Sequence, residues 1–550
     1  MTRKGTRKHT FGQLLLFCVT VFCLLVTGCF NDEPSAYYGK TVAPRAREFR
    51  WSDGGLPQTF DPAFAAAPPD TDAVRALFEG LTDCDPQTLA PVPAVATRWE
   101  SSHDGRVWTF YLRDDARWSN GEKVTAQDFV RSWQRTLKIG ALAPHTELLA
   151  NIEGAIARAP QTEKPEPGPH FGAQAIAEHV LQVTLQHADN SFPALVAHPV
   201  FRPVKLPDAE QTSPIASHEL VTNGAFQLSA TEADRVRLER AHTYWDGDSV
   251  SLDRVTFINA PNPEDALSAY RNGDVDAVTN APFEPLALKL LTPYKDFRRS
   301  TFGALTYYVF NVNREPFDDV RVREALALAI DRERISRVDL GGATEPAGRF
   351  LPQAMSGEKP VVQQTEMLDY DVNKARALLA EAGYPNGEGF PVIRLLVNRN
   401  EQQRTVAQSI AAMWRAGLNI ETEILIRDWE AFEASSRGGD CDVVRRGIVL
   451  QTTDETTNMR MLFERDSHLM MPRAKEKEGP VSAATPEPVP AVTFVESEAQ
   501  ALKELKAVPI YFASSYSLVK PYVSGFDLNV LDAPSLKRTR VNPNWSEQAR

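Results

Sequence analysis

The fold of this chain is decided by the stretch Val107–Leu137, which reads VWTFYLRDDARWSNGEKVTAQDFVRSWQRTL. In its first six residues, the apolar side chains of Trp108, Phe110 and Leu112 stand at every second position. A period of two is typical of a β-strand that buries one face. The stretch is therefore predicted to begin with a half-buried strand.

A turn and a helix are expected directly after this strand. Ser119–Gly121 has the composition of a tight turn, because Asn and Gly tolerate the left-handed backbone that such a turn needs. Thr125 can then cap a helix in which Phe129, Val130 and Trp133 fall on one side. The pattern thus predicts a strand, a turn and a capped helix in close succession.

The same stretch resembles the signature of the peptide-binding family of ABC-importer solute receptors (bacterial extracellular family 5). The likeness extends across roughly residues 48–450 and is greatest to oligopeptide-binding proteins. Other segments resemble the family in its own order and at similar spacing: Leu77–Leu81, Val221–Phe226, Glu239–Arg240, Tyr244–Asp246, Tyr270–Asp276, Phe310–Asn313, Pro316–Arg323, Ala325–Arg332 and Ala377–Tyr384.

The N-terminus predicts export and attachment to a membrane. Four basic residues between Arg3 and Lys8 precede an apolar run from Phe11 to Val26, which is short against the ~20 residues of a spanning helix. The following VTGC resembles a lipobox and implies cleavage before Cys29, with diacylglycerol on its sulfur; an ordinary signal or an uncleaved anchor are the alternatives. We expect a signal peptide at 1–28, a lipidated tether at 29–46, and a location in the cell envelope, facing the periplasm or the cell exterior.

Composition narrows the class of protein further. A chain of 550 residues with 43% hydrophobic content can build more than one core. Its net charge of −12 argues against a nucleic-acid partner. Once the signal is removed and Cys29 is lipidated, Cys84 and Cys441 remain, which is no disulfide framework.

The resemblance implies an α/β, two-lobed periplasmic-binding-protein fold with an extra subdomain in lobe one. Mapped onto this chain, lobe one covers 47–305 and 513–550, with the extra subdomain at 88–198, and lobe two covers 306–512. The family's oligopeptide receptors often carry a disulfide near the pocket, but Phe302–Leu305 contains no cysteine that could form it. Closure of the lobes is expected to bury the ligand between them.

Three helices of the second lobe can be read from their patterns. The first begins at Asp319 or Val320, and the second follows Asp371 as its N-cap and stops at Gly383. The third is expected from Arg404 to Gly417. By contrast, the proline-rich segment 470–491 predicts a disordered insert where family members usually have helical structure.

A receptor for short peptides needs a group that neutralises the terminal ammonium, because a buried charge is costly unless it is paired. In oligopeptide receptors an aspartate a few residues after an Arg-x-Gly does this work. Alignment on Gly447 places Gln451 at that position, and a neutral amide cannot cancel the charge. Asp454 or Glu455 could supply the carboxylate if the loop is shifted; a solvated loop acid is the alternative.

Other candidates for the binding cleft also come from the resemblance. Arg445 aligns with an arginine that lies near the ligand's carboxylate end, and its guanidinium suits bidentate contact with a carboxylate. An ion pair with a neighbouring acid, Asp440 or Asp442, is the alternative. Tyr307, Tyr308 and Asn311 match the strand between the lobes, although they could equally be core residues that face away.

The sequence favours binding over catalysis. It contains none of the motifs G-x-S-x-G, H-E-x-x-H or G-x-x-x-x-G-K-S/T, and no histidine or cysteine cluster with metal-ligand spacing. We therefore expect no enzyme activity, no cofactor and no metal site. The expected protein is a monomeric, membrane-anchored solute receptor that passes short peptides to a permease with a cytoplasmic ATPase. The alternatives are the same fold retuned to haem, a metal chelate, a cell-wall fragment or a sugar, or a surface interaction or signalling protein that has lost transport.

Overall fold

A computed structural model describes residues 36–44, 46–155, 171–206, 211–353, 367–464, 495 and 497–546. Its strands are β1 Glu48–Asp53, β2 Thr82–Cys84, β3 Pro91–Pro93, β4 Ala96–Ser101, β5 Val107–Leu112, β6 Ala173–Ala177, β7 Val180–Thr184, β8 Phe226–Thr231, β9 Arg235–Arg240, β10 Arg254–Ile258, β11 Ala277–Thr279, β12 Phe297–Phe310, β13 Thr344–Pro346, β14 Ile393–Asn398, β15 Thr422–Arg427, β16 Val443–Val449, β17 Ala507–Val519, β18 Val523–Ser524 and β19 Arg540–Val541.

Its helices are α1 Asp70–Leu77, α2 Ala126–Ile139, α3 Phe192–Leu195, α4 Pro263–Asn272, α5 Pro285–Leu291, α6 Val320–Leu328, α7 Arg332–Arg334, α8 Val372–Glu381, α9 Glu401–Leu418, α10 Trp429–Gly438, α11 Glu455–Glu464 and α12 Glu498–Glu504.

Two lobes share one long sheet. Among the described residues this sheet has eleven strands in the order β15-β14-β16-β12-β17-β11-β1-β10-β9-β8, with β13 added beside β17. The antiparallel pair β12 and β17 carries the chain from one half to the other, from Phe297 opposite Leu518 to Val309 opposite Ala507, and its register shifts twice along the way. Mixed pairing with covering helices is the α/β architecture expected from the sequence.

Each lobe has its own apolar core. Phe49, Phe110 and Val519 belong to the core of lobe one, which draws on both ends of the chain, whereas Tyr308 and Trp414 belong to the core of lobe two. Because the two cores are connected mainly through a pair of strands, the lobes can move against each other at a small cost in buried area.

The extra subdomain of lobe one is the antiparallel sheet β4-β5-β7-β6 with α2 beside it. The predicted strand is confirmed at Val107–Leu112, with Trp108, Phe110 and Leu112 buried. The predicted helix is confirmed as well: Thr125 is its N-cap, and the Asp128 carboxylate accepts the Thr125 backbone N–H at 2.9 Å.

The three helices read in the second lobe are confirmed, with one correction. Asp319 caps α6, and the Asp371 carboxylate accepts the N–H groups of Asn373 and Lys374 at the start of α8. The third helix begins at Glu401 rather than Arg404, because Asn400 caps it by accepting the Gln403 N–H.

The segment expected to be a tether is anchored to lobe one in its described part. The Tyr38 N–H donates to the Asp296 carboxylate at 2.9 Å, and the Lys295 N–H donates to the Ala36 carbonyl at 2.9 Å. The bounds of the tether, 29–46, stay a prediction. The expected signal peptide, Cys29 and the insert at 470–491 lie outside the described residues.

The two remaining cysteines are not paired with each other. Cys84 is half-buried in lobe one, and Cys441 is buried in lobe two. Burial raises the pKa of both thiols to about 12, so neither is a reactive thiolate at neutral pH.

Candidate ligand-binding site

A cleft of about 550 Å³ lies between the two lobes. Its floor is made of the crossing strands, with Thr306 of β12 and Tyr511 of β17, and one wall is the end of β16. The opposite wall carries His145 and Glu147 of the extra subdomain. Both lobes therefore contribute to one concave site of the size that small ligands occupy.

The end of β16 presents an unpaired strand edge to this cleft. The Leu450 N–H donates to the Gly303 carbonyl, so the even-numbered residues of this segment bond to β12. Backbone groups alternate along an antiparallel strand, so the N–H and C=O of Arg445, Gly447 and Val449 point the other way. Among the described residues β14 pairs with β16 only as far as Val444, and a parallel pairing at Val444 takes up the Arg445 N–H. The edge is therefore open for an extended chain at Gly447 and at the Val449 N–H.

Arg445 lies on this wall as a cation without an acidic partner in the described part of the chain. Its Nη2 is 3.5 Å from the Thr306 hydroxyl, and its Nε has no hydrogen-bond partner there. Burial lowers the pKa of Arg445, while three neighbouring tyrosines raise it. The acid Asp442 bonds instead to Arg314 at 2.9 Å and to Arg394 at 3.4 Å. A guanidinium of this kind is suited to an incoming carboxylate.

The three candidates on the strand between the lobes are buried. Tyr307 and Tyr308 are 2% and 1% exposed. The pKa of Tyr308 is raised well above its usual value, first by burial. Asn311 donates to the Cys441 carbonyl at 3.3 Å and fixes the far end of β16. Tyr308 lies beside Arg445, whereas Asn311 acts on the strand and not on the cleft.

Gln451 stands at the other end of the open edge. Its Nε2 donates to the Val449 carbonyl at 3.2 Å, and its Oε1 is 3.4 Å from Nε2 of His198 in lobe one. Burial holds the pKa of His198 well below its usual value, so this imidazole is neutral. This end of the cleft thus offers a neutral amide and a neutral ring instead of a carboxylate.

The structure does not bring Asp454 or Glu455 into the cleft. Asp454 is fully buried and not solvated, and its carboxylate accepts the Thr457 N–H at 2.6 Å at the start of α11. The Glu455 carboxylate accepts the Glu498 N–H at 2.8 Å at the start of α12. Both carboxylates therefore serve helix N-termini, where backbone N–H groups favour negative charge.

A second, smaller cavity of about 60 Å³ adjoins Gln451 and was not foreseen from the sequence. Its acid Glu79 accepts the Trp245 indole N–H at 2.6 Å and the Tyr244 hydroxyl, and lies 3.5 Å from Nζ of Lys537. Burial raises the pKa of Glu79, and Lys537 opposes that shift. The sequence did hold a signal for this cavity, because Glu79 lies in the segment Leu77–Leu81 and Tyr244 and Trp245 lie in the segment Tyr244–Asp246, and both segments resemble the family.

Neither a metal site nor a spanning helix was found in the described ranges. No group of three or more His, Cys, Asp or Glu side chains among those residues could hold a metal ion. No helix among them is long and apolar enough to cross a membrane.

Comparisons with known proteins agree with this geometry. The profile of bacterial extracellular solute-binding proteins, family 5 Middle, matches residues 90–467. The periplasmic oligopeptide-binding protein OppA of Escherichia coli (strain K12) is 31% identical over 529 residues, which is 93% of this chain and 95% of that protein. The periplasmic murein peptide-binding protein MppA of the same strain is 31% identical over 543 residues, 95% of this chain and 98% of MppA. The unliganded open form of MppA superimposes with a TM-score of 0.73 and 27% identity, over 91% of this chain and 98% of that structure.

Proposed function

Since the chain belongs to family 5 of the bacterial extracellular solute-binding proteins, we propose that it captures short peptides between its lobes and delivers them to the permease of an ABC importer. Members of this family bind solutes and are not enzymes. The observation that carries the proposal is the open edge of β16 beside Arg445, whose guanidinium has no acidic partner among the described residues. Relatives named for oligopeptide and murein peptide binding support it.

Each part of the cleft would meet one part of an extended peptide. The N–H and C=O of Gly447 and the N–H of Val449 would pair with the peptide backbone, which requires no particular side chains. The Arg445 guanidinium would meet the peptide carboxylate in a charge-assisted hydrogen bond. Gln451 would accept a hydrogen bond from the amino end without neutralising its charge.

Capture would proceed by closure of lobe one, 47–305 and 513–550, onto lobe two, 306–512. The crossing strands β12 and β17 would form the hinge. Burial of the peptide would exclude water from its backbone hydrogen bonds, which strengthens them.

The receptor would be held in the envelope by lipid on Cys29, facing the periplasm or the cell exterior, and would act as a monomer. Its partner would be a permease with a cytoplasmic ATPase. Two or more acyl chains give stable attachment to a membrane.

Native mass spectrometry of the soluble form that starts after Cys29 tests the proposal. A set of bound masses that are released on denaturation and sequence as short peptides would support it. One discrete non-peptide mass would favour a receptor retuned to another ligand, a reading to which the missing carboxylate at Gln451 gives weight. An empty protein that no peptide library stabilises would instead favour a surface interaction protein.

A further inference from the structure

A small apolar cluster of lobe one holds the start of the described chain. Tyr38 packs edge to face on Tyr294 at 5.2 Å and stacks on Tyr270 at 6.3 Å. The Lys40 N–H donates to the Arg271 carbonyl at 2.9 Å, at the end of α4. The chain therefore leaves the body of the protein at a fixed place, between the end of α4 and the segment after α5.

The distance from this place to the lipid is limited by covalent geometry. Six residues lie between Cys29 and Ala36, which makes seven steps from Cα to Cα, and an extended chain spans at most ~3.5 Å per step. The surface around Ala36 is thus confined to within about 25 Å of the membrane if Cys29 is lipidated. This step rests on the lipid anchor in the proposed function.

Two large apolar side chains are exposed on the neighbouring helix α5. Leu286 and Leu290 are 68% and 65% exposed, and they stand one turn apart on the same side of that helix. Leu291 of the same helix is buried and ties it to the cluster that holds Tyr38. The helix is thus fixed to the body with a pair of leucines directed away from it.

The charge around these leucines is opposite in sign to that of the whole protein. The chain carries a net charge of −12, yet Lys40, Arg271, Lys289 and Lys295 are exposed here, against the exposed acids Asp274 and Glu284. Interspersed lysines and leucines favour the interface of a bilayer that contains anionic lipid. We define the anchor face by its exposed cations and leucines: Lys40, Arg271, Leu286, Lys289, Leu290 and Lys295.

We propose that the anchor face lies on the membrane surface, with Leu286 and Leu290 in the acyl boundary and the four cations at anionic phospholipid headgroups. The lipid on Cys29 brings this face to the bilayer, and the leucines and cations then fix the orientation of the receptor. A single short tether would otherwise allow the body to rotate freely. An orientation set by another surface, or no fixed orientation, would leave Leu286 and Leu290 in water.

The test uses the processed lipoprotein in vesicles of phosphatidylethanolamine and phosphatidylglycerol, with an environment-sensitive dye on Leu290→Cys. The native thiols of Cys84 and Cys441 have a pKa of about 12, which leaves the new cysteine as the reactive one. Val392→Cys in lobe two is the matched control, because Val392 is an apolar side chain of similar exposure, 55%. We expect a blue-shifted emission and quenching by a lipid-borne quencher at position 290 and neither at 392.

Two further measurements distinguish a failure of membrane contact by the anchor face from a failure of lipidation at Cys29. Intact mass spectrometry reports whether Cys29 is lipidated. If it is not, the dye is read at the same position on the soluble form that starts after Cys29, with excess vesicles, where a shift at position 290 still supports the inference and its absence contradicts it. Leu286→Ser/Leu290→Ser should bind such vesicles roughly tenfold more weakly. Equal water-like emission at 290 and 392 in a lipidated protein would overturn the inference while leaving peptide capture untouched.

Discussion

Arg445 is a cation on the cleft wall whose Nε has no hydrogen-bond partner among the described residues. Desolvation of an unpaired charge destabilises the folded protein. The packing of the rest of lobe two must offset this cost in free energy. A ligand carboxylate would relieve that cost on binding.

We expect Arg445→Met to weaken binding of a peptide with a free carboxyl end by roughly 10-fold to 100-fold, the value of a charged hydrogen bond. Isothermal titration calorimetry measures the change. The same peptide as a C-terminal amide is the control, and it should lose little between wild type and variant. An equal loss for both peptides would show that Arg445 supports the strand rather than the carboxylate.

Asp189 of lobe one lies against the buried Asp454 of lobe two. The pKa of Asp189 is raised to about 7, first by burial and then by the charge of Asp454, while Arg460 opposes the shift. In the unfolded chain an aspartate has a pKa of about 3.9. The folded protein thus retains a proton that the unfolded chain has lost, and stability falls as the pH rises from about 4 to about 7.

Asp189→Asn should therefore gain thermal stability over wild type, by a difference that grows between about pH 4 and pH 7 and stays constant above. The amide keeps the acceptor for the Ser191 N–H, which the carboxylate accepts at 2.8 Å. Thermal unfolding at several pH values measures this difference. A pH-independent difference would contradict the shared burial of the two carboxyl groups.

At the scale of elements, the open edge of β16 should carry the backbone recognition of the ligand. Val449 is 42% exposed, and its N–H points away from β12. Proline is tolerated at an edge where the N–H is not used by the sheet. A proline at position 449 would therefore remove a hydrogen-bond donor from the edge without breaking a hydrogen bond between β16 and β12.

We expect Val449→Pro to bind peptides about tenfold more weakly, because one backbone donor is lost. Val449→Thr keeps that donor and should bind as wild type does. Circular dichroism checks that both variants are folded. If the two variants bind equally, an extended ligand does not pair with this edge.

The sequence was most informative for single elements. The structure contains the strand predicted from Trp108, Phe110 and Leu112 and the helix caps predicted at Asp319 and Asp371. These features depend on residues that are close together in the sequence, so they can be predicted without knowledge of the tertiary structure. The start of α9 was misplaced because an asparagine cap at Asn400 carries a weaker signal than the apolar stripe it precedes.

The site was less predictable from the sequence. The resemblance drew attention to Arg445 and Gln451. It could not show that Asp442 forms ion pairs with Arg314 and Arg394 instead of with Arg445. Asp454 and Glu455 were considered for the cleft because they are the nearby carboxylates. Their actual role, to accept N–H groups at the starts of α11 and α12, depends on where those helices begin. Contacts between lobes, such as Gln451 with His198, are set by tertiary structure and leave no local trace.

At the scale of the whole molecule, Gly303 joins three parts of the chain. Its N–H donates to the Val530 carbonyl at 2.7 Å, and its carbonyl accepts the Leu450 N–H at 2.9 Å. The pairing of β12 with β17 shifts register between Thr301 and Leu305, around this residue. The return segment of lobe one, the crossing strand and the cleft wall thus meet at one glycine.

A Cβ at Gly303 would lie 2.9 Å from the Val530 carbonyl oxygen, so backbone must shift to admit it. We expect Gly303→Ala to lower the free energy of unfolding by about 1–3 kcal/mol. Gly247→Ala is the control, because nothing lies within 4 Å of its added Cβ. Chemical denaturation compares the two, and equal stabilities would show that this junction is not tightly packed.

The unpaired guanidinium on the cleft wall also bears on the lifetime of the protein in the cell. Each delivery returns the receptor to its empty form, in which that charge has no counter-ion within the described part of the chain, so the empty form unfolds more readily than the filled one. Proteases of the envelope act on transiently unfolded chains. The abundance of the receptor should therefore follow the supply of its ligand: starved cells degrade it faster, and well-fed cells conserve it.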